Sequence, residues 1–300
     1  MTSRTVDISV IIATRDRAGS LARLLASFDA LDWGNDISLE LLIVDNGSSD
    51  CTEDLVQTQQ KKSLKYDLRY LVEPVKGQSA AINCGLRNCG GKIICLIDDD
   101  VVVHPKWLTG LLASYKSGEF DAFQGRVLPG VDPEGRPADT RKLYYYNIPI
   151  VDYGDGVRAI RGLTGAHMTF KRSVYESVGL FNVKLGPGAS GFSGDTEFSR
   201  RIVAAGFRIG YTPHAVVFHE LSPQRYGRAY NRAVQYRKGI SRSVYRRDSI
   251  ALSILPKLVI NCLRFSVYWL FGREAKIYRC EGRIWRFLGY LQGSFRSRTE

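Results

Sequence analysis

The sequence predicts an α/β fold in which a mixed, mainly parallel sheet is flanked by helices. Three short apolar runs, at 8–13, 41–44 and 93–97, are typical of strands that are buried on both faces. Segments with helical spacing of apolar residues separate these runs, and the connections are short. Parallel strands need a crossover connection, usually a helix, so this alternation favours a parallel sheet covered by helices.

The first apolar run leads into a predicted helix in which Leu21, Leu24, Leu25 and Phe28 repeat at i, i+3, i+4 and i+7. Ser20 is a candidate N-cap for that helix. The second run ends at Asp45, and the turn-rich stretch NGSSD follows before another helix. A strand is then predicted over 68–72 and a helix over 80–89, which Gly90 and Gly91 end.

The third apolar run stops abruptly at three consecutive aspartates, Asp98, Asp99 and Asp100. Three adjacent carboxylates repel one another unless they are solvated or share a cation. Hard divalent cations prefer carboxylate oxygens, and Mg²⁺ is often held by one or two carboxylates together with substrate phosphates. A solvated acidic turn at the end of a strand is the alternative. In open α/β sheets, ligands bind outside the carboxyl ends of the strands, so Asp45 and the three aspartates are expected to face one crevice.

The sequence from 105 to 220 is less regular. We predict a helix over 107–115, a strand over 121–128, a long loop over 131–161 and strands over 165–171 and 208–218. A segment with four glycines, 186–194, leads directly into a helix with Asp195 and Glu197 in its first turn. The helix dipole stabilises acidic residues there, which is one explanation. The other is that a carboxylate behind a glycine loop acts as a general base.

Composition and charge limit the classes of protein that this chain can be. Of 300 residues, 44% are apolar and 24% are charged, which is typical of a globular protein and disfavours global disorder. The start of the chain does not match a signal peptide, and the six cysteines show no CxxC pair, so we expect reduced thiols in a cytosolic protein and no structural zinc. Walker A and GxGxxG motifs are also missing from the sequence, which disfavours a P-loop NTPase or a dinucleotide-binding Rossmann domain.

The excess of positive charge lies in the last quarter of the chain. Residues 225–300 contain 17 Lys and Arg against 4 Asp and Glu, while the other 224 residues are almost balanced. Two segments are amphipathic and basic, and each contains a tryptophan. The first is 250–271, and the final one has apolar residues on one side and arginines on the other, namely Ile284, Phe287, Leu288, Leu291 and Phe295 against Arg279, Arg283 and Arg286. This pattern is typical of helices in a membrane interface, and packing on the protein itself is the alternative. We therefore predict two regions, a catalytic domain at 1–222 and a basic, amphipathic helical region at 223–300.

The order and spacing of these segments resemble those of the inverting family 2 glycosyltransferases, which have the GT-A fold. The resemblance runs from residue 8 to residue 220. It is carried by the segments ISVIIATRDR, LLIVDNGSSD, IICLIDDDVVVHPKWL, GAHMTFKRSV, SGDTEFSRR and VVFH. Each segment alone is a weak signal, and their order together is a strong one.

The resemblance implies a role for each of the candidate site residues. Thr14, Arg15 and Asp16 would line the nucleotide pocket, and Asp45 would contact the base. Asp98 and Asp100 would form the DxD motif, with Asp100 as metal ligand and Asp98 nearer the ribose, and Asp99 could substitute for either. Asp195 would be the catalytic base, and His219 would complete the metal site. The remaining residues expected at the donor are Lys76, a candidate phosphate contact, and Gly165.

Three positions depart from the usual family pattern. Ala13 and Arg15 stand where proline and an aromatic residue are more common. Gly194 replaces a glutamate that usually precedes the catalytic aspartate. One carboxylate is sufficient to deprotonate an acceptor hydroxyl, so Asp195 is kept as the expected base.

The expected reaction is a single displacement with inversion, from a nucleoside-diphosphate sugar, here a UDP-sugar, to a hydroxyl of a glycan or lipid-linked acceptor. The expected cofactor is Mn²⁺ or Mg²⁺, acting on the charge of the leaving diphosphate. We expect a cytoplasmic enzyme, peripheral on the inner face of the membrane, in cell-envelope or exopolysaccharide synthesis, with homo-oligomers left open. The rival hypotheses are a non-catalytic nucleotide-sugar-binding scaffold and a protein that binds nucleic acid through the basic tail, although no nucleic acid is expected.

Overall fold

The computed structural model describes residues 6–31, 33, 37–131 and 149–296. The chain divides into two compact units. The first contains the described residues up to Val131 together with 149–183 and 194–220. The second contains Lys184–Ser193 and the chain from Leu221 onward.

The first unit is built on one mixed sheet. Its strands are β1 (Ile8–Thr14), β2 (Leu39–Asp45), β3 (Asp67–Val72), β4 (Ile93–Ile97), β5 (Val101–Val103), β6 (Ala122–Pro129), β7 (Arg158–Ile160), β8 (His167–Lys171) and β9 (Ile209–His219). They lie in the order β3-β2-β1-β4-β8-β6-β9-β5, and β7 pairs with β9. The predicted α/β fold is confirmed.

Six helices belong to this unit and three to the second within the described residues. Those of the first are α1 (Ala18–Asp29), α2 (Thr52–Gln60), α3 (Gln78–Asn88), α4 (Trp107–Lys116), α5 (Arg172–Val178) and α6 (Gly194–Ala204). Those of the second are α7 (Arg228–Tyr245), α8 (Leu255–Leu270) and α9 (Glu274–Arg296). A 3₁₀ turn at Pro223–Tyr226 precedes α7, and a π-helical turn at Ile250–Ile254 precedes α8.

The part of the sheet that positions the site is parallel. Strand β1 pairs in parallel with β2 on one side and with β4 on the other. The register places Thr14 directly opposite Asp45, at the last residue of each strand. Because parallel strands end at the same edge of a sheet, the polar residues that follow these apolar strands meet there.

The sheet separates two apolar layers. One layer contains Trp107, which is fully buried against Phe28 and His167. The other contains Phe181 and Phe198, whose rings stack with centroids 4.1 Å apart. His167 accepts a hydrogen bond from the Trp107 indole, and burial lowers the pKa of this imidazole to about 3. His167 is therefore a neutral core residue.

Two local expectations are wrong in detail. Helix α1 begins at Ala18, so Ser20 lies inside it and does not cap it. The Ala18 amide donates instead to Asp50, which also accepts the Thr52 amide at the start of α2. Within the loop expected at 131–161, residues 132–148 lie outside the described part. Residues 158–160 are not loop but form β7, which pairs in antiparallel fashion with residues 209–211 of β9.

The second unit is organised by close contact between α7 and α9. Each helix presents glycines to the other, and a Cβ added to Gly289 would lie 2.0 Å from the Tyr236 carbonyl oxygen. Glu281 on α9 is buried and forms ion pairs with Arg228 and Arg232 of α7. Asp248 similarly binds two α7-side arginines. Several of the basic residues noted in the sequence are thus neutralised within this unit.

Candidate active site

The carboxyl ends of β1 and β2 are tied together at Thr14, Asp45 and Asn46. The Asn46 amide donates to the Thr14 carbonyl oxygen at 2.9 Å. Asp45 is buried, and its two carboxylate oxygens accept the Ser48 amide and the Tyr70 hydroxyl. Burial and the neighbouring Asp45 raise the pKa of Tyr70 well above its usual range, so this phenol remains a donor. The side chain expected to contact the base is held in one orientation.

Arg15 and Asp16 lie at the exposed mouth of this edge. Asp16 has a positive φ of 52°, a conformation that non-glycine residues seldom adopt. Its carboxylate accepts the Ser49 amide at 2.6 Å, and this hydrogen bond is the main reason that the pKa of Asp16 lies below its ordinary value. The hydrogen bond between Ser49 and Asp16 holds the β1–α1 turn against the β2–α2 turn.

Asn46 also organises the loop that carries Lys76. Its Nδ2 donates to the carbonyl oxygens of Glu73 and Val75, and its Oδ1 accepts the Gly77 amide at 2.7 Å. Lys76 is exposed on the short segment between these anchors. Lys76, the predicted phosphate contact, is therefore exposed on a loop whose conformation is held by hydrogen bonds to Asn46.

The three consecutive aspartates point to three different sets of partners. Asp98 accepts a hydrogen bond from Gln78 at 3.2 Å. Asp99 is buried and accepts the Thr14 hydroxyl at 2.8 Å. Asp100 is also buried, and one of its oxygens faces His219. Only Asp98 and Asp100 share a ligand cluster with His219 among the described residues.

Arg17 neutralises part of this acidic cluster. Its Nη1 lies 2.9 Å from Asp99 Oδ1 and 2.9 Å from Asp100 Oδ2, so one nitrogen bridges two carboxylates. Burial raises the pKa of Asp99 to about 6, although Arg17 acts in the opposite direction. The two aspartates raise the pKa of Arg17 further despite its partial burial, so the guanidinium remains charged.

His219 reaches the aspartates through the pairing of β5 with β9. That antiparallel pair places Val101 opposite His219, and the Glu220 amide donates to the Asp100 carbonyl oxygen at 2.8 Å. The His219 Nδ1 lies 2.6 Å from the Glu220 carbonyl oxygen. A carbonyl can only accept, so Nδ1 carries the proton and Nε2 is directed at Asp100.

These residues fit a divalent cation. The candidate ligand atoms of Asp98, Asp100 and His219 all lie within 4.8 Å of one another. Ligands about 2.1 Å from an octahedral cation are about 3 Å apart when adjacent and about 4.2 Å apart when opposite, so small side-chain rotations would complete the site. The two carboxylates are donors that suit Mn²⁺ or Mg²⁺, and the imidazole is a donor more usual for transition-metal ions.

Asp195 lies in the first turn of α6, as the sequence predicts. Its Oδ2 accepts the Gly165 amide at 3.2 Å, and its Oδ1 accepts the Thr196 amide. Gly165 also faces Asp98, since a Cβ added to this glycine would lie 4.0 Å from Asp98 Oδ1. Gly165 thus lies between the candidate base and the acidic cluster. Glu197 instead forms a two-point ion pair with Arg201.

Sequence reasoning missed four residues that shape this edge. Arg17 orients Asp99 and Asp100, and Asn46 orients the loop that carries Lys76. Tyr70 orients Asp45, and Gln78 orients Asp98. Asn46 follows a strand-ending aspartate, and Gln78 opens a helix after the Lys76 loop, so position gave some signal for both. Nothing in the sequence pattern joined Arg17 to residues more than eighty positions away.

Comparisons with curated sequences place glycosyltransferases among the relatives. The succinoglycan biosynthesis protein ExoM of Rhizobium meliloti is 26% identical over 239 residues, which cover 80% of this chain and 75% of ExoM. The glycosyltransferase AglE of Haloferax volcanii is 26% identical, with coverages of 84% and 78%. The pre-mycofactocin glycosyltransferase of Mycobacterium tuberculosis is 25% identical over 71% of this chain, and the chain spans 43% of that relative's length.

Solved structures agree on the fold. The mannosyltransferase PcManGT from Pyrobaculum calidifontis, in complex with GDP-Man and Mn²⁺, superposes with a TM-score of 0.58 at 18% identity, covering 99% of this chain and 76% of PcManGT. Residues 1–349 of S. aureus TarS with UDP give a TM-score of 0.57 at 14% identity, with coverages of 98% and 92%. Both likenesses support the GT-A fold. The family described as "Glycosyl transferase family 2" matches residues 9–179, more than half of the sequence, and the chain belongs to this family.

Proposed function

We propose that this protein is a metal-dependent, inverting glycosyltransferase. It transfers a sugar from a nucleoside diphosphate, UDP being the expected one, to a hydroxyl of a glycan or lipid-linked acceptor. The observation that carries the proposal is the cluster of Asp98, Asp100 and His219 at the carboxyl edge of the sheet, beside Thr14 and Asp45. This edge is where open α/β sheets bind ligands.

The donor would lie along the ends of β1, β2 and β4. Asp45 is oriented to accept hydrogen bonds from a base, and Thr14, Arg15 and Asp16 form the neighbouring wall. Lys76 is a candidate for the diphosphate, because its loop is anchored by Asn46 and its side chain is exposed. Asp98 and Gly165 lie at the sugar-proximal end, where Gly165 leaves room beside the Asp98 carboxylate.

Asp98, Asp100 and His219 would hold the divalent cation. When bound, a divalent cation supplies positive charge that stabilises a departing diphosphate. The Nδ1–H of His219 keeps Nε2 directed into the site through its bond to the Glu220 carbonyl oxygen. Hydrogen bonds of this kind to a ligating imidazole set its orientation and tautomer. Mn²⁺ and Mg²⁺ both suit the two carboxylates.

Asp195 is the proposed general base. The acceptor hydroxyl attacks the anomeric carbon from the face opposite the diphosphate, and its proton passes to an Asp195 carboxylate oxygen as the bond forms. The amides of Gly165 and Thr196 hold the carboxylate in place. General-base catalysis typically contributes ~10²–10⁴-fold to the rate. Glu197 forms an ion pair with Arg201. This pairing supports Asp195, rather than Glu197, as the base.

We further propose that the enzyme works in the cytoplasm, peripherally on the inner face of a membrane, in the synthesis of envelope or extracellular polysaccharide. The second unit supports this, since it contains a helical segment, Ile250–Leu270, that by length and composition could enter a bilayer. Its arginines are partly neutralised by Glu281 and Asp248, which makes a nucleic-acid partner the weaker explanation of the basic charge.

A thermal-shift screen of sugar nucleotides with and without Mn²⁺ tests the proposal. A correct donor raises the melting temperature, because a ligand that binds only the folded state stabilises it by mass action. The shift should need both donor and metal. An Asp195→Asn variant should keep the shift and lose transfer or donor hydrolysis by at least ~10²-fold. The proposal fails if no sugar nucleotide raises the melting temperature of the protein, or if Asp195→Asn retains full turnover.

A further inference from the structure

Helix α8 is apolar on the side that packs and also on the side that faces outward. Ile254, just before it, is buried and Leu258 and Phe265 are half-buried, yet most of the apolar residues on its other side are exposed. Asn261, a polar residue in the middle of the helix, is only 5% exposed. Leu263, two positions later, is 63% exposed, and Leu252 in the preceding turn is 86% exposed. Soluble helices bury their apolar side and expose the polar one. A helix that is apolar on all sides is normally buried in a protein core or in a membrane, so the outer side of α8 is expected to contact an apolar surface.

The outer side of α8 is a continuous apolar strip. At 100° per residue, most of the exposed apolar residues lie 100° or more from Asn261, while the exposed Trp269 and Phe271 lie about 80° from it at the end of the helix. We call this set the α8 outer face, and it comprises Leu252, Leu255, Val259, Ile260, Leu263, Val267 and Leu270. Each fully buried side chain of this size is worth about 1.5–3 kcal/mol of transfer free energy, so leaving the whole strip in water is costly.

We propose that the α8 outer face docks this protein onto an anionic lipid bilayer, lying in the plane of its surface. The inference deepens the proposed function, on which it rests, by assigning the membrane contact to one face of one helix. The other long helix of the second unit, α9, uses its own buried face, with Cys280, Glu281 and Tyr290, for packing within the unit.

Charge identifies the occupant as anionic lipid. From Ser249 to Arg273 the sequence contains no acidic residue, while Lys257, Arg264 and Arg273 are basic. Lys257 and Arg264 are exposed and lie within about 60° of Asn261 around the helix, away from the centre of the outer face. In a helix that lies in the membrane surface, long side chains in such positions can extend toward lipid headgroups. A second copy of this chain would bring the same cations against one another, and an anionic surface would instead attract each of them by about 1 kcal/mol.

Length and packing favour a helix lying in the interface over one that spans the bilayer. The 21 residues of Ile250–Leu270 could reach about 30 Å, which is just enough to cross. However, α8 packs along α9, and a spanning α8 would carry α9 into the hydrocarbon. Helix α9 contains Arg279, Arg283 and Arg286, which are expensive to bury in lipid.

Vesicle flotation of the full-length protein tests the proposal. We expect binding to phosphatidylcholine vesicles that contain about one third phosphatidylglycerol, weaker binding to phosphatidylcholine alone, and release in alkaline carbonate, as for a peripheral protein. The double variant Val259→Glu, Leu263→Glu should reduce the vesicle partition coefficient by at least about tenfold. Lys257→Gln and Arg264→Gln should each lower the preference for anionic vesicles about fivefold.

A matched control adds the same two charges elsewhere. Val157 and Val203 are exposed valines of the first unit, so Val157→Glu, Val203→Glu should bind vesicles as the unaltered protein does. The α8 double variant should keep its donor-dependent thermal shift in detergent-free buffer, which separates lost docking from a failed transferase proposal or a failed fold. The inference would be overturned if this variant floated as the unaltered protein does, or if the unaltered protein did not bind anionic vesicles. It would also be overturned if binding resisted carbonate, or if the protein formed a lipid-free dimer that only this variant disrupts.

Discussion

The Nε2 atom of His219 lies 3.2 Å from Oδ1 of Asp100, and both side chains are almost completely buried. Because Nδ1 donates to the Glu220 carbonyl oxygen, two lone pairs face each other unless a cation or a second proton lies between them. The other oxygen of Asp100 is bound by Arg17. The two oxygens of this carboxylate therefore have different partners: Oδ2 binds Arg17, and Oδ1 faces His219 and the candidate metal site.

This division predicts unequal effects for neighbouring aspartates. Asp100→Asn and His219→Ala should each weaken Mn²⁺ binding by about 10–100-fold or more, because the first removes the negative charge of one ligand and the second removes the imidazole ligand. Asp99→Asn should weaken it less, since the Asp99 carboxylate is directed at Thr14 and Arg17. Titration calorimetry with Mn²⁺ measures the affinities. Asp54→Asn, at an exposed acid of α2, is the control. Equal losses at Asp99 and Asp100 would contradict the assignment.

Arg17 is predicted to stabilise the metal-free protein. Arg17→Gln leaves two buried carboxylates without their shared cation, and the guanidinium is nearly half exposed. We expect the free energy of unfolding to fall by about 1–3 kcal/mol, between the values for exposed and buried pairs. Urea denaturation in EDTA measures the loss, which should shrink in saturating Mn²⁺ because the metal replaces the missing charge.

The control for Arg17 is its neighbour Arg15. Arg15 pairs with Asp16 in solvent, so Arg15→Gln should change stability by no more than about 0.5 kcal/mol. A deficit for Arg17→Gln that is the same with and without Mn²⁺, or that matches the deficit for Arg15→Gln, would show that Arg17 does not act as the counter-charge of the cluster.

Asn46 is predicted to control the donor loop. Asn46→Ala removes three hydrogen bonds to the segment from Glu73 to Gly77, each worth about 0.5–1.5 kcal/mol. We expect faster amide exchange at Val75 and Gly77 and weaker donor binding. Hydrogen exchange and donor titration measure the two effects. Asn88→Ala, which loses exposed hydrogen bonds to the carbonyl oxygen and the sulfur of Cys84, should leave both unchanged. Unaltered exchange in Asn46→Ala would contradict this role.

Gly289 is predicted to set the distance between α7 and α9. A methyl group at this position would lie 2.0 Å from the Tyr236 carbonyl oxygen, so Gly289→Ala must push the helices apart. Overpacking of this kind typically costs about 1–3 kcal/mol. Thermal denaturation and hydrogen exchange in both helices should report the loss. Gly156→Ala, where nothing lies within 4 Å, is the matched substitution and should be neutral. If the two variants melt alike, the close approach is not required.

The sequence by itself determined the parallel half of the sheet and the edge at which function lies. The apolar runs 10–13, 41–44 and 93–97 contain no polar residue, which favours central strands, and the aspartates that follow two of them are then expected at one edge. The family resemblance added Asp195 and His219 as expectations. Local signals were sufficient here because strand burial and strand ends are written in consecutive residues.

Only the tertiary structure decided which atoms meet. The pairing of β5 with β9 brings His219 to Asp100, and the fold of α1 onto the sheet brings Arg17 between Asp99 and Asp100. The exposed apolar side of α8 also depends on which side packs in the second unit, since the spacing of apolar residues alone does not say which side faces outward. These features are contacts between residues that are distant in the chain. Packing determines such contacts, and local sequence patterns do not reveal them.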